Sequence, residues 1–99
     1  MLATAWNDGR TTYGVRVRRA DRDRYFREVW TEIQVELDGH VHRFRLTPSF
    51  WRRCSEFRDS GSPLIRRWLA RHHSTEWESG SPPRFVLTPL GENRFRLEA

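Results

Sequence analysis

Residues 31–46 read TEIQVELDGHVHRFRL, and this stretch decides the fold. Ile33, Val35 and Leu37 alternate with Glu32, Gln34 and Glu36, the period of a strand with one face buried. Asp38-Gly39 follows, and a second alternating run extends from His40 to Leu46. An Asp-Gly pair between two such runs predicts a two-residue hairpin, because both turn positions require positive φ and these two residues tolerate it. The turn sets the register: Leu37 opposite His40, Val35 opposite His42, Ile33 opposite Phe44 and Thr31 opposite Leu46. On the other face Glu32 falls opposite Arg45 and Gln34 opposite Arg43, a compatible polar pairing across the strands.

Working outward toward the N-terminus, Tyr13, Val15 and Val17 alternate with Gly14, Arg16 and Arg18, which predicts a half-buried strand. Asp21 then caps a short helical turn that ends in Tyr25 and Phe26. Residues 1–11 contain Asn7-Asp8-Gly9 and little pattern, and read as a loose arm pinned by Trp6. Residues 12–99 form the single α+β domain that follows it.

On the C-terminal side, Thr47-Pro48 has the form of an N-cap with Pro at the first helical position. Phe50, Cys54 and Phe57 recur at i, i+4 and i+7, with Trp51 widening the apolar stripe. Ser60-Gly61-Ser62-Pro63 ends this helix and opens another, capped by Ser62. Leu64, Ile65, Trp68 and Leu69 form the inner face of the second helix. After a break at Ser79–Pro83, two short strands over 84–88 and 94–97 bring Phe85 and Leu87 against Leu97 and Phe95. The order implies an α+β fold: a mostly antiparallel sheet built from two hairpins plus an N-terminal strand, covered on one face by a helix pair.

The totals bound what such a chain does. Ninety-nine residues suit one domain, and five Trp, six Phe and two Tyr supply a core despite 31% charged residues. Cys54 is the single cysteine, which excludes an intramolecular disulfide. No apolar run approaches the roughly 20 residues of a membrane span, and the start lacks the pattern of a secretory signal. A cytoplasmic location is the expectation, with no membrane contact.

All eighteen basic residues are Arg, and the net charge is +5. A genome rich in G and C produces that bias without function, yet Arg is also the side chain that forks onto phosphates and stacks on rings. Charge is unevenly spread: residues 10–27 hold seven Arg against two acids, and residues 43–73 hold eight against two. Between them, Glu28 to His42 carries four acids and no Arg.

Catalytic equipment is not indicated. His40 and His42 share one side of a strand at a spacing that suits metal, but they read as sheet-edge residues without a third ligand. His72-His73 fits the C-terminal end of a helix dipole. Cys54 falls on an apolar helical stripe, where a thiol acts as a small hydrophobe. Glu32 and Glu36 share a strand face but meet Arg45 and solvent, and the glycines occupy turns or caps rather than a phosphate loop. No enzyme, metal or cofactor is expected.

A binding module is. Two helices and a hairpin follow the order of a winged helix-turn-helix, but Arg67 stands where that motif places an apolar residue and Glu56 where it places a small one. The basic candidates are the outward strand residues Arg16, Arg18, Arg43, Arg45, Arg94 and Arg96, with Arg66, Arg67 and Arg71 on the second helix. Were the strands adjacent, six guanidinium groups would line one surface along a nucleic-acid backbone. The alternative is a protein partner or a homodimer engaged through Trp6, Trp30 and Trp77, since Trp and Arg dominate interface hot spots.

Overall fold

The Asp38-Gly39 turn forms as its chemistry dictates in the computed structural model, which describes residues 1–99. Asp38 and Gly39 have φ of 50° and 83°. They join β3 (Glu32–Leu37) to β4 (His40–Arg45), paired in the register read from the sequence, Leu37 to His40 through Glu32 to Arg45. Ile33, Val35, Leu37 and Phe44 are buried, while Glu32, Arg43 and Arg45 are exposed.

Five further strands complete one sheet: β1 (Leu2–Asn7), β2 (Tyr13–Val17), β5 (Glu56–Arg58), β6 (Arg84–Gly91) and β7 (Arg94–Glu98). The order is β4-β3-β7-β6-β1-β2-β5. The sheet is mixed, because β3 and β7 run parallel whereas every other pairing is antiparallel. It contains three hairpins rather than two plus a strand, and it curls until its two end strands approach each other. Phe44 of β4 and Phe57 of β5 lie with ring centroids 5.4 Å apart. The result is nearly a barrel, with inward side chains on every strand forming the core.

The stretch read as a loose arm is instead part of that wall. β1 lies between β6 and β2, with Ala3 and Ala5 buried at 1% and 5% exposure. Their methyl groups fill the interior where large residues from neighbouring strands leave little room, so the alternation is too weak in hydrophobicity to announce a strand. Past it, Asn7-Asp8-Gly9 does turn: the Asp8 carboxylate accepts the N–H groups of Arg10 and Thr12.

The helices differ from the expected pair. The turn after β2 is α1 (Arg19–Tyr25). The helix opened by Pro48 is only α2 (Pro48–Arg52), and Phe57 lies in β5. Cys54 is exposed rather than on an apolar stripe. The segment after Arg53 pairs with β2 instead of continuing as a helix, so Phe57 reaches the core from a strand and not from the helical stripe with Phe50. The second expected helix is α3 (Leu64–His72), burying Ile65, Trp68 and Leu69. Its first turn is capped not by Ser62 but by Asp59, whose oxygens accept from the Ile65 and Arg66 N–H groups at 2.7 and 3.1 Å.

These helices close opposite ends of the curled sheet. α3 crosses one end: Tyr13 and Asp59 lie near its start, and its last turn reaches the β3–β4 turn, where Arg71 and His72 hold Asp38. α1 and α2 close the other end, where Phe26 stacks on Phe95 at 4.7 Å and packs against Phe50 at 5.1 Å. No helix is long and apolar enough to cross a membrane.

Candidate nucleic-acid interface

All six arginines expected on strands are exposed, but Arg18 lies just past β2 at the start of α1, and the strand order does not gather the other five into one row. Arg43 and Arg45 on β4 are separated from Arg94 and Arg96 on β7 by β3, whose outward residues are Glu32, Gln34 and Glu36. Arg96 donates to Glu36, and the Arg43 Nε lies 3.9 Å from Glu32. Arg16 and Arg18 are three strands from β7, around the curl of the sheet. Arg66, Arg67 and Arg71 sit on α3 at the far end. There Arg71 is committed to Asp38 at 2.8 Å, and the Arg66 guanidinium lies 5.5 Å from the Tyr13 ring centroid.

The three tryptophans outside the helical stripes are each half-buried by the chain itself. Trp6 lies over Gly14, where a Cβ would come within 3.1 Å of the indole and 2.5 Å of the Phe57 carbonyl oxygen. The Arg58 guanidinium covers the same indole at 4.6 Å and donates to Glu56 at 2.9 Å. Glu56 is almost wholly buried, and its second carboxylate oxygen meets no donor. Trp77 packs edge-on to Tyr13 at 6.1 Å, while the Tyr13 hydroxyl donates to the Thr75 carbonyl. Trp30 packs edge-on to Phe26 and Phe95.

Trp30 leads to residues that the alternation pattern did not single out. Beside it, Arg24, Tyr25 and Arg27 form one side of an open cleft of about 740 Å³ at the α1–α2 end of the sheet. The other side is the β6–β7 connection, including Glu92 and Asn93. Tyr25 and Trp30 are half-buried, packed against the core, and both line the cleft. The Arg24 guanidinium lies 5.3 Å from the Tyr25 ring centroid, and no carboxylate stands within 4.0 Å of Arg24 or Arg27. Asn93 donates through Nδ2 to the Glu32 carbonyl, tying the cleft to the start of β3.

On the far side of that β3 start lies a second groove of about 790 Å³, lined in part by Arg43, Arg45 and Thr47. It has no aromatic wall, and Glu32 stands in it. Arg94, the first residue of β7, adjoins Asn93 between the two depressions and is also free of carboxylates. Three of the sequence candidates, Arg43, Arg45 and Arg94, thus share one end of the molecule with Arg24 and Arg27. Arg52 and Arg53 at the end of α2 add to the same end and have no ion-pair partner.

Not every arginine here is available. Arg22 is 9% exposed and turns inward, donating to the Phe50 and Trp51 carbonyls at 3.1 and 2.9 Å and pairing with Asp23 at 3.0 Å. It satisfies carbonyls that the short α2 leaves open at its C-terminal end, and so fixes α1 against α2. The signal for Arg24 and Arg27 was present as charge density in residues 10–27, but the fold was needed to separate them from Arg22.

Comparison of the chain with protein-family models, with curated proteins and with solved structures finds no match.

Proposed function

We propose that this chain is a non-catalytic nucleic-acid-binding module that holds the phosphate backbone with arginines at the α1–α2 end of its sheet. The observation that carries this reading is the gathering there of Arg24, Arg27, Arg45, Arg52, Arg53 and Arg94, none with a carboxylate within 4.0 Å. Unpaired guanidinium groups keep their full capacity for bidentate contact with phosphate, whereas Arg71 and Arg96 already spend theirs on Asp38 and Glu36.

Fluorescence anisotropy with labelled DNA and RNA across a salt series tests it. Binding at low salt should weaken steeply as salt rises, through release of condensed counterions. Replacing Arg24, Arg27 and Arg94 together by Gln should lower affinity for every sequence and flatten the salt slope by about 2–3, at roughly 0.7–0.9 for each phosphate no longer neutralised. Absence of binding at low salt would overturn the proposal.

A second reading, self-association or a protein partner, draws on the outer face, where Leu2 and Val86 are cross-strand neighbours and both are exposed. The half-buried Trp6, Trp30 and Trp77 support it less. A clean monomer by light scattering at high concentration would count against self-association.

A further inference from the structure

We infer that the cleft between α1 and the β6–β7 connection seats an unpaired base, so that the nucleic acid this chain takes is single-stranded. The inference rests on the nucleic-acid reading above and adds the form of the ligand. The cleft is lined by two half-buried aromatic residues, Tyr25 and Trp30, and by two arginines without carboxylate partners, Arg24 and Arg27. That is the combination a single strand uses: a base stacks on an aromatic side chain while guanidinium groups hold the phosphates beside it. In a duplex the base faces are stacked on one another and offer nothing to such rings. A groove that only held backbone would need charge alone, as the aromatic-free groove beside Arg43 and Arg45 has.

The rest of the molecule argues the same way. Major-groove readout requires a projecting helix or two-stranded ribbon. α3 buries Ile65, Trp68 and Leu69 against the sheet, and its last turn is tied to Asp38. α1 has seven residues and carries Asp21 and Asp23 among its arginines. The β3–β4 hairpin ends in Asp38, and the β6–β7 connection carries Glu92, so neither tip is suited to enter a groove walled by phosphates. Glu92 also orients the ligand within the cleft: the phosphates belong on the Arg24–Arg27 side, and the base edge faces Glu92 and Asn93.

The test compares single strands of equal charge, with a DNA duplex beside them, on the intact protein. Anisotropy is measured with an oligothymidylate of about 12 nucleotides, its oligouridylate counterpart, an abasic oligomer of the same length and a DNA duplex. Either base-bearing single strand should bind about tenfold or more tightly than the abasic oligomer, the size expected of one base stacked on an aromatic ring. Tyr25→Leu should abolish that gap without changing abasic binding, and Trp30→Phe, which keeps a ring, should largely preserve it. Equal affinity for thymidylate and abasic oligomers would overturn the base site yet leave the backbone-binding proposal standing, as would tighter binding of the duplex. Failure of all four ligands to bind at low salt would overturn both.

Discussion

Arg22 shows how one side chain can leave a charged surface and become structure. The residue is 9% exposed, and its guanidinium has three oxygens around it: the Phe50 and Trp51 carbonyls and the Asp23 carboxylate. A planar fork suits that arrangement, because its donors diverge in fixed directions toward acceptors on two different elements. Arg22→Leu should destabilise the fold by about 1–3 kcal/mol, since both carbonyls are then left without a donor inside the protein. Arg22→Lys should recover only part of this, as an ammonium cannot meet the same set of acceptors. Urea denaturation of the two variants measures both effects, and a fully restored midpoint in the Lys variant would contradict the geometry. The residue scale also explains why site residues were only partly legible. Exposure of Arg43, Arg45, Arg94 and Arg96 follows from strand alternation, but the pairing of Arg96 with Glu36 and of Arg71 with Asp38 joins residues 60 and 33 positions apart in sequence.

Among the elements, α3 depends on a carboxylate at each end, and the two respond to acid in opposite senses. At its start, burial pushes Asp59 above the ordinary aspartate range; the N–H groups of Ile65, Arg66 and Leu64 pull the other way without cancelling the shift. A raised native-state value means the ionised form is the disfavoured one, so this group's contribution to stability falls as pH rises from about 4 through the raised value. Asp59→Ala should cost about 1 kcal/mol through loss of the cap, whereas Asp59→Asn keeps an acceptor without the charge and should cost less. Thermal melts at pH 7 would show the difference, and equal destabilisation would rule out the capping role. At the far end, desolvation raises the value of Asp38, but hydrogen bonds and charge from His72 and Arg71 outweigh it and leave the carboxyl below its ordinary value. A depressed value contributes stability that is complete above about pH 4 and is lost as pH falls through the depressed value. Asp38→Asn should therefore lower stability at pH 7 and narrow its gap from the parent chain at pH 2–3; a gap independent of pH would refute this linkage. The β6–β7 connection carries the opposite kind of residue, since Glu92 holds φ of 50° where an L side chain is strained. Glu92→Asn should gain up to about 1 kcal/mol, because Asn visits this region more readily. It should also tighten oligonucleotide binding by removing a negative charge from the cleft. Weaker binding by that variant would contradict a purely repulsive effect of the Glu92 charge.

At the scale of the whole molecule, what the chain reveals in advance is what it decides locally. Asp38-Gly39 specifies its own turn and the register on either side, so β3 and β4 were legible to the residue. The curl of the sheet was not. It requires Ala3 and Ala5 to be small, residues 56–58 to prefer an edge strand over a helix, and β7 to lie parallel to β3 across a long intervening chain. None of these choices leaves a local signature, because each is made by the volume and hydrogen-bonding needs of distant strands. The proposed nucleic-acid interface inherits the same asymmetry: its charge density was visible, but the cleft exists only once α1 is pinned by Arg22 and set beside the β6–β7 connection.

That parallel junction has a further consequence. β7 is the sole strand that joins the β3–β4 hairpin to the other four, so the sheet is two separate pieces until its final strand is in place. Because the pairings that close it span most of the chain, folding is expected to be slow for this length, on a timescale of milliseconds to seconds. Until then both halves expose unpaired edges, and residues 94–98 act as the latch that ends that vulnerable interval.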